Sequence, residues 1–246
     1  SLINDIESAS SNASSPCIQP MSDVLIVEIP AIGTSVSAAT ALCADEGADV
    51  YQLLINGVHP MNNIDPYFVR QFRRTKKILS IQNYQNDVIP EIQKLIQTYP
   101  NKYVVIVHNL STCRSMDAIE FSKPNGKLST FYEKHPNIIV VDVSSCGVHP
   151  SILKNETRSS DLGCFFADGF LSHVLGDGAN LEIAPMFQFG EMITSIHIKT
   201  AIDLALFHLI RTDIMMKKPE GNLVELNLTR CGIYSNLMFI GMNQVS

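Results

Sequence analysis

The chain has 246 residues, 46% of them hydrophobic and 17% charged, and a net charge of −6 at pH 7. This length buries one full α/β core, so we expect a single α/β domain over residues 21–246 after a flexible Ser-, Asn- and Pro-rich leader over residues 1–20. The acidic balance argues against a nucleic-acid partner. No apolar run is as long as a membrane span requires, so we expect no membrane partner.

The cysteines indicate the redox compartment of the protein, and the basic residues bear on whether it binds phosphate groups. The six cysteines include no C-x-x-C pair, which is typical of reduced thiols and predicts a cytoplasmic protein. The basic residues between Arg70 and Lys77, including Lys76, are interpreted as a solvated helix face.

The first structured segment is a strand, turn and helix followed by a second strand. An apolar run from Val24 to Ile29 predicts a buried strand, and Pro30 and Gly33 mark a tight turn. The small residues from Ser35 to Glu46 predict a helix, and a second strand opens at Asp49. Together these segments indicate a βαβ unit.

The remaining elements continue the alternation. Strands are predicted at 77–82, 103–107, 138–143, 181–184, 225–228 and 234–240, and helices at 67–74, 88–98, 129–134, 168–175 and 191–216. Residues 117–128 contain Pro-Asn-Gly and predict a hairpin. Alternating strands and helices favour a three-layer αβα sandwich around a mostly parallel, Rossmann-like sheet.

Several segments, taken in chain order, carry a family resemblance. They are Ala39–Val50, Asn86–Val88, His108–Ser111, Val143–Ser145 and Ile183–Pro185. Their order and spacing resemble the short-chain dehydrogenase/reductase family. The resemblance implies a nucleotide-binding fold, a cofactor turn at Gly33, Thr34 and Ser35, and a catalytic serine at Ser144.

The chain departs from that family at the residues that carry the chemistry. One glycine, Gly33, remains of the glycine-rich turn that brings a pyrophosphate to a helix N-terminus, and Glu28 beside it would repel phosphate. No tyrosine occurs between Tyr132 and Tyr234 to supply the catalytic Tyr-x-x-x-Lys. We therefore expect no cofactor, while residual nucleotide binding at the Gly33 turn stays open.

A second pattern joins a histidine and a cysteine. His108 follows one buried strand and Cys146 follows the next, so both are predicted at the carboxyl edge of the sheet. An imidazole beside a thiol lowers the thiol pKa and accepts its proton. This layout resembles the caspase-like cysteine peptidases, and it implies a Cys146–His108 dyad, with Asp142 either orienting His108 or serving as a hydrogen-bonded structural carboxylate.

Two further features concern metals and partners. His149, His173, Asp177 and Cys164 lack metal-ligand spacing, so we predict no metal site. The apolar residues of the last long helix occupy more than one of its sides. That distribution predicts a protein partner or a homo-oligomer.

Three functional hypotheses follow from the sequence. The preferred one is a non-catalytic or atypical Rossmann-like subunit, a pseudoenzyme that acts as a binding or scaffold protein. The alternative is a caspase-like hydrolase that uses Cys146 and His108. The third is an atypical reductase that uses Ser144 with another proton donor.

Overall fold

The computed structural model describes residues 19–31, 35–60, 62–63, 66–110, 115–135, 137–144, 188–214 and 223–227. The strands are β1 (Val24–Ile29), β2 (Asp49–Ile55), β3 (Lys77–Ile81), β4 (Tyr103–His108), β5 (Ile138–Ser144) and β6 (Leu223–Asn227). The helices are α1 (Ser35–Asp45), α2 (Pro66–Phe72), α3 (Tyr84–Thr98), α4 (Met116–Ser122), α5 (Lys127–Glu133) and α6 (Gln188–Ile214). The predicted elements at 168–175, 181–184 and 234–240 lie outside these residues.

The six described strands form one sheet in the order β3-β2-β1-β4-β5-β6. Every neighbouring pair is parallel. The order reverses between β1 and β4, and at such a switch point the carboxyl ends of the strands form a crevice. The predicted three-layer αβα sandwich with a Rossmann-like sheet is therefore confirmed.

Alternating side chains divide the core into two layers. Ile26, Val105 and Val141 pack on one face with α1 and α6. Val27 and Ile106 pack on the other face with residues of α3, α4 and α5. The same alternation decides which face receives each polar residue at the strand ends.

The hairpin predicted over residues 117–128 is wrong. Residues 116–122 and 127–133 are the helices α4 and α5, and Pro-Asn-Gly connects them. Ser115 caps α4 by accepting a hydrogen bond from the backbone amide of Ala118, as helix N-caps do. A Cβ on Gly126 would lie 2.7 Å from the carbonyl oxygen of Phe121, so the glycine permits the close approach of the connection to α4.

Helix α6 covers the sheet with one side. Ile198, Ile202 and Leu206 are buried against it, whereas Leu204 and Phe207 are exposed. The second apolar side predicted for this helix is therefore present and uncovered. None of the helices in the described part of the chain is long and apolar enough to cross a membrane.

Candidate functional site

The sequence-predicted site residues fall into two groups. His108 ends β4, Asp142 and Ser144 lie in β5, and Ser35 begins α1. Cys146, Gly33 and Thr34 lie outside the described residues. The predicted dyad and cofactor turn therefore stay predictions, and His108 is the last residue of β4.

Three polar residues form a row across neighbouring strands. His108 on β4 is in register with Asp142 on β5, which is in register with Glu225 on β6. All three line a cleft of about 230 Å³ beside α4 and α5. The other lining residues are Ser122, Lys123, Pro124, Leu128, Tyr132, Ser144 and Leu223.

His108 is buried and acts as an acceptor at Nδ1. The backbone N–H of Leu110 donates to His108 Nδ1 over 3.4 Å, a distance longer than that of a typical hydrogen bond. Burial lowers the pKa of His108, while the carboxylate of Asp142 acts in the opposite direction. The imidazole is therefore neutral at pH 7.

Asp142 has one oxygen without a hydrogen bond. Its Oδ1 lies 3.5 Å from Nδ1 of His108 and is buried without a hydrogen-bond partner. The hydroxyl of Ser144, two residues further along β5, donates to the carbonyl oxygen of Leu226 over 3.5 Å. A buried acceptor left unpaired is costly for a protein and calls for an explanation.

Tyr132 closes the cleft from α5. Burial raises the pKa of its phenol, and the charges of Glu133, Asp142 and Glu225 raise it further. The phenol therefore stays protonated at neutral pH and faces a negative field. The cleft thus combines two carboxylates, a neutral imidazole and a phenol.

The second polar group lies on the opposite face, at the carboxyl end of β1. Glu28 is fully buried and its carboxylate accepts hydrogen bonds from the hydroxyls of Ser37 and Thr40 on α1. Gln52 Nε2 also donates to it, over 2.7 Å. Nζ of Lys76 lies 2.7 Å from Glu28 Oε2 and donates to the backbone oxygen of Ser37 over 2.6 Å.

Lys76 corrects the interpretation of the basic cluster as a solvated face, because its side chain has no exposed surface. Burial alone would raise the pKa of Glu28, but the charge and hydrogen bond of Lys76 and the α1 hydroxyls lower it. Burial lowers the pKa of Lys76 against the opposing charge of Glu28. The two groups form a buried ion pair.

His59 completes this buried group. Its Nε2 lies 3.0 Å from Oγ of Ser37, and Ser37 gives its own proton to Glu28, so the imidazole is the donor. Burial lowers the pKa of His59 to about 4, with Glu28 acting in the opposite direction. Sequence reasoning missed this group, although a glutamate inside the apolar run of β1 was a signal that a buried partner existed.

No cluster of His, Cys, Asp and Glu suited to a metal ion occurs in the described part of the chain. The four residues discussed above as metal ligands, His149, Cys164, His173 and Asp177, lie outside it. Cys43, the described cysteine, is a buried free thiol. Burial raises its pKa to about 12, so it is inert.

No protein-family model matches the sequence, and no curated protein matches it significantly. Solved structures do match by fold. The hypothetical protein Rv3272 from Mycobacterium tuberculosis is 14% identical with a TM-score of 0.61, over 92% of this chain and 60% of that one. A CAIB/BAIF family protein from Brucella suis is 15% identical with a TM-score of 0.64, over 92% and 57%.

These structural similarities establish the fold and no more, because the identities are low. They support a Rossmann-like α/β fold and do not extend to the short-chain dehydrogenase family. The chain spans about 60% of the length of these relatives.

Proposed function

We propose that the chain is a non-catalytic or atypical Rossmann-like subunit that binds a ligand or partner and does not transfer hydride from a dinucleotide. The observation that carries this proposal is the buried Glu28–Lys76 pair under the start of α1. In a dinucleotide-binding turn, backbone amides and the helix N-terminus face a pyrophosphate. Here a carboxylate of the chain itself accepts hydrogen bonds from the hydroxyls of Ser37 and Thr40 in the first two turns of α1.

The backbone before α1 supports the same conclusion. The amide of Ala31 donates to Oδ1 of Asn109 over 2.6 Å, so this turn amide is already used. Ser35 at the start of α1 is buried. An added pyrophosphate would meet an amide that is already occupied.

The cleft at β4–β6 is the binding site in this proposal. It lies at the carboxyl ends of parallel strands, where α/β proteins bind ligands, and His108, Asp142 and Glu225 line it. Apolar walls from Pro124, Leu128 and Leu223 surround the polar row. A concave surface with a few convergent polar groups favours a small ligand.

The hydride-transfer part of the proposal is tested by titrating the protein with NADH and NADPH and following their fluorescence. We expect no saturable change up to about 1 mM, the upper end of common KM values. Saturable binding that NAD⁺ or NADP⁺ reverses would overturn this part of the proposal.

The cleft is tested by an NMR screen of small fragments against the labelled protein. Hits are expected to shift the amides of Leu110 and Asp142 and to be lost in Ser122→Phe, which fills the cleft from α4. The matched control is Met116→Phe on the same helix, because Met116 is exposed and outside this cleft. Hits that survive Ser122→Phe unchanged would place binding elsewhere.

A binding or scaffold subunit in the cytoplasm also needs a partner surface, and the exposed apolar side of α6 supports a protein partner or a second copy. Ile196, Leu204 and Phe207 are its exposed members. Sedimentation velocity of the native chain and of Phe207→Ser tests self-association. If both proteins are monomeric at all concentrations, a homo-oligomer is excluded and the proposed partner is a different protein.

The second candidate is a hydrolase that uses Cys146 with His108 as base. The observation that favours it is a buried neutral imidazole at the end of β4 with a carboxylate oxygen 3.5 Å away. This candidate uses the tautomer with the proton on Nδ1 toward Asp142, so that Nε2 accepts the thiol proton and the carboxylate stabilises the imidazolium that forms. Cys146 follows the end of β5 by two residues.

The test is the pH dependence of alkylation at Cys146, mapped by mass spectrometry in the native chain and in His108→Ala. Reaction well below pH 8 that is lost in the variant supports the dyad. Buried Cys43 provides an internal unreactive thiol. An ordinary thiol profile at Cys146 in both proteins would reject the hydrolase.

A further inference from the structure

We propose that the exposed side of α6 binds the same side of α6 in a second copy of this chain, as an antiparallel pair with its two-fold axis at Phe207. The inference rests on the proposed function of this side as a partner surface, and it names the partner. Two observations carry it: an exposed apolar strip and two opposite charges placed symmetrically about the centre of that strip.

The apolar strip lies on the side of α6 that faces away from the sheet. Leu204 and Phe207 are 61% and 64% exposed, and Ile210 is 38% exposed, whereas Leu206 and Leu209 are buried against the core. Residues three apart are neighbours on a helix surface, so the three exposed side chains form one continuous strip. Exposed apolar strips of this kind mark protein interaction surfaces.

Charged residues border the strip at equal distances from Phe207. Asp203 lies four residues before Phe207 and Arg211 lies four residues after it, and both are exposed. Residues four apart share one side of a helix. Asp203 pairs with Lys199 within α6, but Lys199 also pairs with Glu46, and a carboxylate has room for further donors. Asp203 can therefore accept from a second cation.

The positions of the charges favour a second copy in the antiparallel orientation. About a two-fold axis at Phe207, residues equally far before and after it face each other. Asp203 then faces Arg211 of the partner subunit, Leu204 faces Ile210 of the partner subunit, and Phe207 packs on its counterpart. A parallel pair would place each charged residue beside its own copy, where like charges repel. The strip is therefore self-complementary, as a two-fold interface requires.

The experiment measures self-association of the full chain by sedimentation velocity up to about 0.5 mM, since one pair of helices is a small interface and small interfaces are transient. We expect a reversible dimer. Asp203→Arg and Arg211→Asp each turn both charge contacts into repulsion, so each should weaken dimerisation about tenfold. An equimolar mixture of the two variants restores opposite charges at both contacts and should dimerise with about the native affinity. That recovery would also show that both variants are folded.

Two apolar variants locate the interface along the helix. Phe207→Ser removes the side chain on the axis and should weaken dimerisation at least about tenfold. Ile196→Ser is the matched control, because Ile196 is also exposed on α6 but lies eleven residues from Phe207, about 16 Å along the helix. That distance places it beyond the end of the partner subunit's α6, so this variant should dimerise like the native chain.

Three results would overturn the proposal. A native chain that stays monomeric excludes the second copy and leaves the exposed side of α6 to a different protein or to another segment of this chain. A dimer that Phe207→Ser leaves unchanged lies elsewhere on the molecule. A dimer that the charge reversals leave unchanged, or weak variants whose mixture does not recover, would reject the antiparallel orientation. None of these results decides the proposed function, which fails separately if NADH binding is saturable.

Discussion

The two polar groups at the carboxyl edge of the sheet differ in how their carboxylates are satisfied. Each oxygen of Glu28 accepts hydrogen bonds from neighbouring side chains. Oδ1 of Asp142 accepts none. Both carboxylates lie at strand ends on opposite faces of one sheet, so the topology that creates the edge does not decide the outcome.

The partners make the difference. Lys76 lies in the turn before β3 and reaches back across β2 to Glu28, where its side chain is fully buried. Across the sheet, Asp142 has neutral His108 on one side and acidic Glu225 on the other. The closed group around Glu28 stabilises the start of α1, whereas the open group leaves one oxygen of Asp142 without a hydrogen bond. Proteins lose stability where a site must stay ready for a ligand.

Lys76→Met is the largest expected disruption of the closed group. It leaves the Glu28 carboxylate buried without its counter-charge, and breaking a buried pair in this way costs about 3–5 kcal/mol of unfolding free energy. Urea unfolding of the native and variant chains measures the loss. Lys94→Met is the control, because Lys94 is exposed and pairs with Glu91 on the surface, where ion pairs contribute at most about 1 kcal/mol.

The double variant Glu28→Gln, Lys76→Met sharpens this test. Removing both charges eliminates the uncompensated carboxylate, so most of the loss should be recovered. A double variant as unstable as Lys76→Met alone would mean that packing of the lysine stem, and not charge, holds the turn.

His59 gives the closed group a dependence on pH. Its folded-state pKa is about 4, below the value of about 6.5 in an unfolded chain. The unfolded chain therefore takes up the proton first as pH falls. The stability from the neutral imidazole is complete above about pH 6.5 and is lost as pH falls toward 4, by about 3 kcal/mol in all.

His59→Gln should flatten that part of the curve, since glutamine keeps a donor for Ser37 but does not titrate. Unfolding free energies at pH 7, 5.5 and 4.5 in both proteins provide the measurement. Parallel losses in the two proteins would assign the acid sensitivity to other groups.

The sheet was predictable because its signals are local. Apolar runs such as Val24–Ile29 and Ile138–Ser144 are buried on both faces, and a buried parallel strand reads as a continuous apolar segment. The prediction of a hairpin at 117–128 was wrong because it relied on a local signal alone. Pro-Asn-Gly is a local turn signal, but Ala118, Ile119 and Phe121 bury one side of a helix, and tertiary packing decided the structure.

The site was only partly predictable. His108 and Asp142 were expected near each other because parallel strands end at one edge, and they lie 3.5 Å apart. Lys76 was misinterpreted because its partner Glu28 is 48 residues away. Nothing in the sequence indicated that Tyr132 and Glu225 belong to this site, because the local sequence of β6 does not predict that it pairs with β5.

Asp142→Asn is the smallest expected effect on stability and has the opposite sign to Lys76→Met. It removes an unpaired carboxylate beside Glu225, and the new amide can donate to Nδ1 of His108, 3.5 Å from the replaced oxygen. The unfolding free energy should stay unchanged or rise by up to about 1 kcal/mol. A loss above about 1 kcal/mol in urea unfolding would instead make Asp142 a structural partner of His108, and the contrast between a closed group and an open site would then disappear.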